Sequence, residues 1–585
     1  MPDVPPLTPL PLDLLTRRID EEWRTRKRIF DLPTARIWRP DDDVDLGFEF
    51  LGRPAATPLG PAAGPHTQMA QNIVLAWLAG ARLFELKTVQ VLDELDIARP
   101  CIDMETIGYN IEWSQELRVP QSLEEYVKAW MIIEMLRRWE PLADHLGDDP
   151  GPHVFDMSVG YDLAGISGDK VTGFIESMMD ASAEIDRLRP LIAEPFRRFA
   201  DLDFPSRIAD TVTLSTFHGC PPDEIDAITR HLMDRHGLDV IVKLNPTLLG
   251  FAQVDAIVHD VLGYDEVKLV EDAFDADLQM DRAIELIGDL REHAAATGRR
   301  FGIKLTNTLV VANHKGFLPD DPMYLSGPPL HVISSTLLGE LARRLPSVLM
   351  IPGHDGDVQV SFSAGVTRDN VADTLAMGVA PATMSTDLLK PGGYGRIKPM
   401  LAALAREMRD AGVSDLAGWQ EHRRRLAVEQ GRHDEIDRHV SAMLHGEERD
   451  RYAEEGTSKR PRRVEHSLQM WGCVACNLCV TVCPNDAVLK VPTPEGAAIE
   501  GRWQYLVFGE LCNECGNCMV FCPEDGDPAM IKPRLFFDRE RFEAADGQRF
   551  LIDVDPTVRV TAAPGWEPEL PALTQVAVGS DGLPF

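Results

Sequence analysis

Two observations predict an α/β chain built as a (β/α)8 barrel with a smaller, cysteine-rich α+β domain behind it. From Leu46 onward, short apolar runs ending in small or polar residues alternate with longer segments of helical period. Near the carboxyl end, eight of the ten cysteines fall in two copies of one spaced motif. The expected units are an N-terminal arm over 1–45, the barrel over 46–400, a helical linker over 401–465, the cysteine domain over 466–535 and an extended tail over 536–585. A chain of 585 residues exceeds what a single core usually supports, in keeping with several units.

The arm opens with a proline-rich stretch, Pro2 to Pro11, which reads as extended. Candidate barrel strands end at Gly64, at Lys87-Thr88, near Ser158, near Ser215, at Lys243-Leu244, at Thr306-Asn307, near Gly353 and near Ser385. Eight such units make a closed barrel. Among the intervening helices, Ser122 to Trp139 opens on Ser-Leu-Glu-Glu, a capping-box arrangement. Pro222 to Leu232 begins with proline and acidic residues, as a helix start prefers. In this fold the chemistry sits at the carboxyl ends of the strands, so the polar residues there are the site candidates. After about Gly395 the helices become charged, and a basic stretch, Ser458 to Arg463, leads into the cysteines.

The cysteine runs are Cys473, Cys476, Cys479, Cys483-Pro484 and Cys512, Cys515, Cys518, Cys522-Pro523. Each follows the bacterial ferredoxin spacing, in which the fourth cysteine ligates the other cluster. Two [4Fe-4S] clusters in a ferredoxin-like domain are expected, one on Cys473, Cys476, Cys479 and Cys522, the other on Cys512, Cys515, Cys518 and Cys483. Zinc knuckles pair cysteines two by two and have no use for the duplicated quartets or the prolines. Only Cys101 and Cys220 remain, a usage that suits a reducing cytoplasm, where the protein is expected.

A net charge of -34 excludes electrostatic attraction to nucleic acid or anionic membrane and suits a basic redox partner. No apolar run is long enough to span a bilayer. No G-x-G-x-x-G follows a strand, so electrons must come from another protein.

With the strand ends placed, several segments resemble, in order, the flavin-binding barrel of dihydroorotate and dihydropyrimidine dehydrogenases. They are Pro61-Ala62-Ala63-Gly64-Pro65, Leu86-Lys87-Thr88, Val242-Lys243-Leu244-Asn245-Pro246, Leu305-Thr306-Asn307-Thr308, Leu325-Ser326-Gly327, Ser363-Ala364-Gly365-Val366 and Met384-Ser385-Thr386. A closer similarity, through Ser158 to Gly165, Ser215 to Pro222 and Cys101 to Trp113, is to the family called "putative selenate reductase subunit".

The resemblance implies FMN, contacted by Ala63, Gly64, Lys87, Thr88, Lys243, Asn307, Ser326, Gly327, Gly365, Ser385 and Thr386. It also implies a proton-moving side chain opposite the flavin. Cys220, just before a proline-led helix, resembles the family's active-site cysteine, and its thiol pKa would be lowered there. A lone cysteine is also often a small buried hydrophobe. His218 is the rival acid or base. The family's N-x-S-C-P segment is rebuilt here as Thr213 to Pro221, which counts against a pyrimidine substrate.

Asn110 and Thr308 offer hydrogen bonds to a polar heterocycle or amide, and Lys304 offers positive charge to flavin or substrate. The implied function is an FMN-dependent iron-sulfur oxidoreductase acting on a small unsaturated heterocyclic or amide substrate, served by an FAD- and NAD(P)H-dependent subunit or a ferredoxin, as a homodimer or heteromer. The alternative is an electron-transfer subunit of a larger reductase, without substrate chemistry of its own.

Overall fold

The structure, a computed structural model, describes residues 7–577 apart from 94, 96, 112–114, 216–217, 498 and 554–558. Eight parallel strands form the barrel: β1 Leu59–Pro61, β2 Leu83–Glu85, β3 Val154–Val159, β4 Thr211–Ser215, β5 Asp239–Leu244, β6 Phe301–Leu305, β7 Gln359–Phe362 and β8 Ala382–Met384. Their order is β1-β8-β7-β6-β5-β4-β3-β2. At the remaining seam the Arg82 N–H donates to the Leu59 carbonyl at 3.1 Å. Gly60 makes that approach possible, because a Cβ there would stand 1.6 Å from the Leu83 carbonyl oxygen.

Every residue of β3, β5, β6 and β7 is buried, as expected of strands covered on both faces. The polar exceptions recur with period two: Asp156 and Ser158 on β3, Thr211, Thr213 and Ser215 on β4. In register beside them stand Glu85 opposite Asp156, and Lys243 opposite Lys304. One face of the sheet is therefore polar, and it encloses a charged interior.

The seventh strand differs from expectation. The apolar run before Gly353 pairs only through a bridge from Leu349 to Val358, and the barrel strand forms later, ending at Phe362. Pro352-Gly353, with Gly353 at φ +86°, turns the chain away from the sheet first. The helix expected from Ser122 begins earlier, at Val119, because Pro120 fits its first turn and the Gln121 side chain accepts from the Arg118 N–H at 3.0 Å. The helix expected at Pro222 runs on to His236, where Gly237 stops it.

The cysteine region folds on a five-stranded sheet: β9 Val488–Pro492, β10 Trp503–Phe508, β11 Arg534–Phe536, β12 Phe550–Asp553 and β13 Arg559–Ala562, in that order. The segment expected as an extended tail supplies β12, β13 and the helix Leu570–Ala577. Phe550, Leu551 and Ile552 of β12 are all buried.

The N-terminal segment contains the helix Leu12–Arg26, which joins the two parts. Arg18, fully buried, pairs with Glu22 and with Asp486 of the cysteine domain, each at 2.7 Å, and lies 5.1 Å from the Phe30 ring. No helix among the described residues is long and apolar enough to cross a membrane. Removing one partner from a buried ion pair strands the others, at a cost of about 3–5 kcal/mol. Arg18→Ala is therefore expected to lower thermal stability sharply, while Arg24→Ala, on an exposed pair, leaves it nearly unchanged; differential scanning calorimetry reads both.

Candidate active site

The carboxyl ends of the strands enclose a cavity of about 1070 Å³, part of it open to solvent. Of the residues expected there, Ala63, Gly64, Lys87, Thr88, Asn110, Lys243, Asn307, Thr308, Ser326, Gly365, Ser385 and Thr386 all line it. A small antiparallel sheet of Ile102–Asp103, Tyr109–Asn110, Met323–Leu325 and Leu309–Val311 covers one side. It contributes Ile102, Met104, Tyr109 and Asn110 to the lining, with Tyr109 stacked on Phe317 at 5.5 Å.

Gly327 stands one layer behind. Its φ is +79°, and a Cβ on it would meet the Ile107 carbonyl at 2.5 Å; a Cβ on Gly365 would meet the Gly327 carbonyl at 2.3 Å. Two backbones pass here at a separation that leaves no room for side chains, and the loop 363–366 lines the cavity. Thr386 donates to Ser326 Oγ at 2.8 Å and so ties the loop after β8 to the cover.

Lys304 is not at the cavity wall, contrary to the substrate contact expected of it. Its ammonium lies inside the barrel, bonded to Glu85 and, at 2.8 Å, to Thr383 Oγ1. Lys243, which does line the cavity, binds the other oxygen of Glu85 at 2.9 Å. Burial works against the Glu85 charge, but the two lysines overcome it and hold the carboxyl at about 2. Burial pushes Asp156 up to about 7, with Glu85 adding to it, against hydrogen bonds from Thr213 at 2.6 Å and Thr211 at 2.7 Å.

Neither proton-transfer candidate, Cys220 or His218, lines the cavity. Cys220 is buried, and burial, then Glu224 and Asp277, pushes its thiol up to about 12. The lowered pKa expected from the helix start is reversed by desolvation. His218 is part-exposed, with Nδ1 2.7 Å from Asp277 Oδ2 and its ring stacked near Tyr324. Asp277, which the sequence did not single out, also accepts from Thr247 at 2.6 Å and from Asn245 at 3.1 Å. Asn245 in turn accepts from Asn307, on the cavity wall, at 2.7 Å. Burial opposes the Asp277 charge, but these partners, His218 first, hold it below the usual carboxylate range. Thr216, Phe217 and Trp113 lie outside the described residues.

The eight motif cysteines fall into two neighbourhoods. Cys479 is pushed up by burial and then by Cys476, Cys473 and Cys522. Cys518 is pushed up by burial, then by Asp527, Cys515, Cys512 and Cys483. Cys483 and Cys522 each stand among the thiols of the other run.

The second neighbourhood touches the cavity cover: the N–H groups of Cys101 and Ile102 donate to the Cys515 carbonyl at 3.1 and 3.0 Å. Cys101, without an expected role, is in fact beside Cys515, and its sulfur accepts from Arg99 at 2.7 Å. Arg99 is paired with Glu116, which also binds Asn513 at 2.9 Å. Buried Asn517 donates to Val482 at 2.7 Å and to Leu389, on the cavity wall, at 2.9 Å. Outside these groups, the metal-like cluster among the described residues is Asp373, His439 and Glu448. Arginine occupies it, since Arg423 and Arg438 bind Asp373 at 2.6 and 3.0 Å.

The family described as "Oxidoreductase YgfK, N-terminal TIM-barrel domain" matches residues 30–435. The chain belongs to this family. It is 40% identical over 418 residues to the protein named "Putative oxidoreductase YgfK" in Escherichia coli strain K12, and equally to that of strain O157:H7; the match takes in 68% of this chain and 39% of each relative. The chain thus spans about two-fifths of the length of those YgfK proteins. A further stretch of 53 residues, 9% of the chain, is 40% identical to 62% of the ketoisovalerate oxidoreductase subunit VorC of Methanothermobacter marburgensis. Among solved structures, a dihydroorotate dehydrogenase (DHODH) of Eimeria tenella crystallised with ferulenol superposes with a TM-score of 0.41 at 14% identity, over 71% of this chain and 96% of that one. The YgfK family match contains every cavity residue named above; both cysteine runs lie beyond it.

Glu85 holds two buried lysines, so Glu85→Gln is expected to destabilise the barrel by about 3–5 kcal/mol. Because its carboxyl is depressed to about 2, its stabilisation is present above the ordinary carboxylate pKa of about 4.3 and is lost as pH falls toward 2. Chemical unfolding across pH 2–7 should show a flatter acid limb in the variant than in the native chain.

Proposed function

We propose that the chain is an FMN-dependent, iron-sulfur oxidoreductase that passes electrons between two [4Fe-4S] clusters and a small unsaturated substrate in the barrel cavity. The observation that carries this reading is the pair of hydrogen bonds from Cys101 and Ile102 to the Cys515 carbonyl. They join a four-thiol neighbourhood directly to the segment whose Ile102 and Met104 line the cavity.

The residues fit both groups. Each neighbourhood brings four cysteines together, the number that holds one four-iron cluster. The cavity wall has no side chain at Gly64 and Gly365 and carries a lysine at Lys243. Lys87 and Lys243 both line the wall, which suits an anionic group.

Bound FMN would supply exchange between one-electron and two-electron steps. Gly64, Gly365, Ser385 and Thr386 would hold its backbone and phosphate side, and Lys87 and Lys243 its negative charge. Asn110 and Thr308 would orient the polar edge of the substrate, and Tyr109, Met104 and Ile102 would exclude water.

His218 is the better proton carrier of the two candidates. Its ring is part-exposed and its Nδ1 lies 2.7 Å from Asp277, whereas the Cys220 thiol is buried and pushed up to about 12. Electrons would come from an FAD- and NAD(P)H-dependent subunit or a ferredoxin.

The test is FMN, iron and acid-labile sulfide per polypeptide after purification without oxygen. One FMN with about eight irons supports the reading. Full iron without flavin, even after FMN is supplied, would leave an electron-relay subunit instead. In an active preparation, His218→Ala is expected to slow substrate-linked flavin turnover by about 10²–10⁴-fold and Cys220→Ser by far less, the range being that of lost acid-base catalysis. Single-turnover flavin absorbance separates the two.

A further inference from the structure

The two thiol neighbourhoods differ in exposure. Cys515 and Cys518 are buried, whereas Cys476 is exposed. Cys476 opens into a groove of about 1770 Å³, partly solvent, between the barrel loops after β7 and β8, the linker and the cysteine loops. The groove reverses the sign of the molecule. In a chain of net charge -34, seven lysines and arginines line it against three carboxylates. Two of those carboxylates are engaged: Asp387 is bound by Arg396 at 2.7 Å and Glu105 lies 3.9 Å from Arg460. Lys459, Arg460 and Arg462 are exposed along the linker ridge. Beside the thiols, Val474 and Met519 expose apolar side chains, at 47% and 38%.

A small anion would be gripped by a few convergent donors. An open basic trough flanked by apolar side chains has instead the make-up of a protein-docking surface. We propose that this groove docks an acidic electron-transfer protein, whose electrons enter at the Cys473, Cys476, Cys479 and Cys522 cluster and pass inward to the Cys483, Cys512, Cys515 and Cys518 cluster at the cavity. The proposal rests on the cluster reading above. In each docking the partner's reduced centre loses one electron and the outer cluster gains it; two dockings supply the pair that the cavity chemistry consumes. The local positive charge directs an acidic partner to the one exposed cluster edge, against repulsion from the rest of the surface.

The experiment is stopped-flow reduction of the full chain without oxygen, followed by cluster bleaching. Reduced acidic [2Fe-2S] ferredoxin is the probe and reduced methyl viologen the control. Iron content and electron paramagnetic resonance of each preparation come first, and missing clusters would count against the cluster reading rather than the groove. With clusters present, the ferredoxin rate should fall with added salt, and should fall about tenfold or more at low salt in R460E/R462E, as expected where steering sets the rate. The viologen rate and iron content should hold. K459E, a milder change, should give a smaller loss in the same direction. A ferredoxin rate indifferent to salt and to both variants would overturn the proposal. So would intact ferredoxin rates with weakened binding of a small anionic substrate, since the groove would then serve the cavity.

Discussion

The Glu85 carboxylate inside the barrel is the constraint on which the site depends. It is the shared counter-ion of Lys243 and Lys304, and it also accepts from the Ala63 N–H at 3.1 Å, so one buried side chain fixes a lysine of the cavity wall and the loop after β1 together. Desolvating a carboxylate costs several kcal/mol, and here two lysines offset it. The arrangement has no slack: the register that puts Glu85 opposite Asp156 and Lys243 opposite Lys304 also brings all four onto the interior face. A slip of one residue would turn that charge outward and apolar side chains inward.

The joint between barrel and cysteine sheet is made the same way, by buried polar groups reaching from one part into the other. Arg18 spans from the N-terminal helix to Asp486, Asn517 to Leu389, and Asn513 to Glu116. Each such contact is costly if half-made, so together they specify one orientation of the two parts. The backbone hydrogen bonds between Cys515 and residues 101–102 then follow from that orientation. A thiol loop is held against the cover of the cavity rather than at an arbitrary distance from it.

Much of this was legible in the sequence because it is local. Strand-end segments such as Lys87-Thr88 and Thr306-Asn307-Thr308 carry their own placement once the strands alternate, and they converge on one cavity. Cys483 and Cys522, each before a proline, stand among the thiols of the other run. What escaped is non-local. Cys101 has no partner at short spacing, since it meets Cys515 from far along the chain and through backbone groups. Lys304 reads as a barrel-mouth charge until Glu85, on another strand, is seen to hold it. Asp277 orients His218 from a different loop, where no motif marks it. The strand before Gly353 was misplaced because an apolar run alone does not say whether a turn follows before the chain reaches the sheet.

These non-local contacts also arrange the molecule from surface to centre. The exposed thiol Cys476 stands at a basic groove, the buried thiols Cys515 and Cys518 stand deeper, and Ile102 carries the contact into the cavity. Exposure falls along that line. Under the electron-transfer reading proposed above, a carrier that meets a partner needs an exposed edge and one that serves the cavity needs burial, so a single site could not meet both demands. On that reading the two neighbourhoods of four thiols divide the two demands between them.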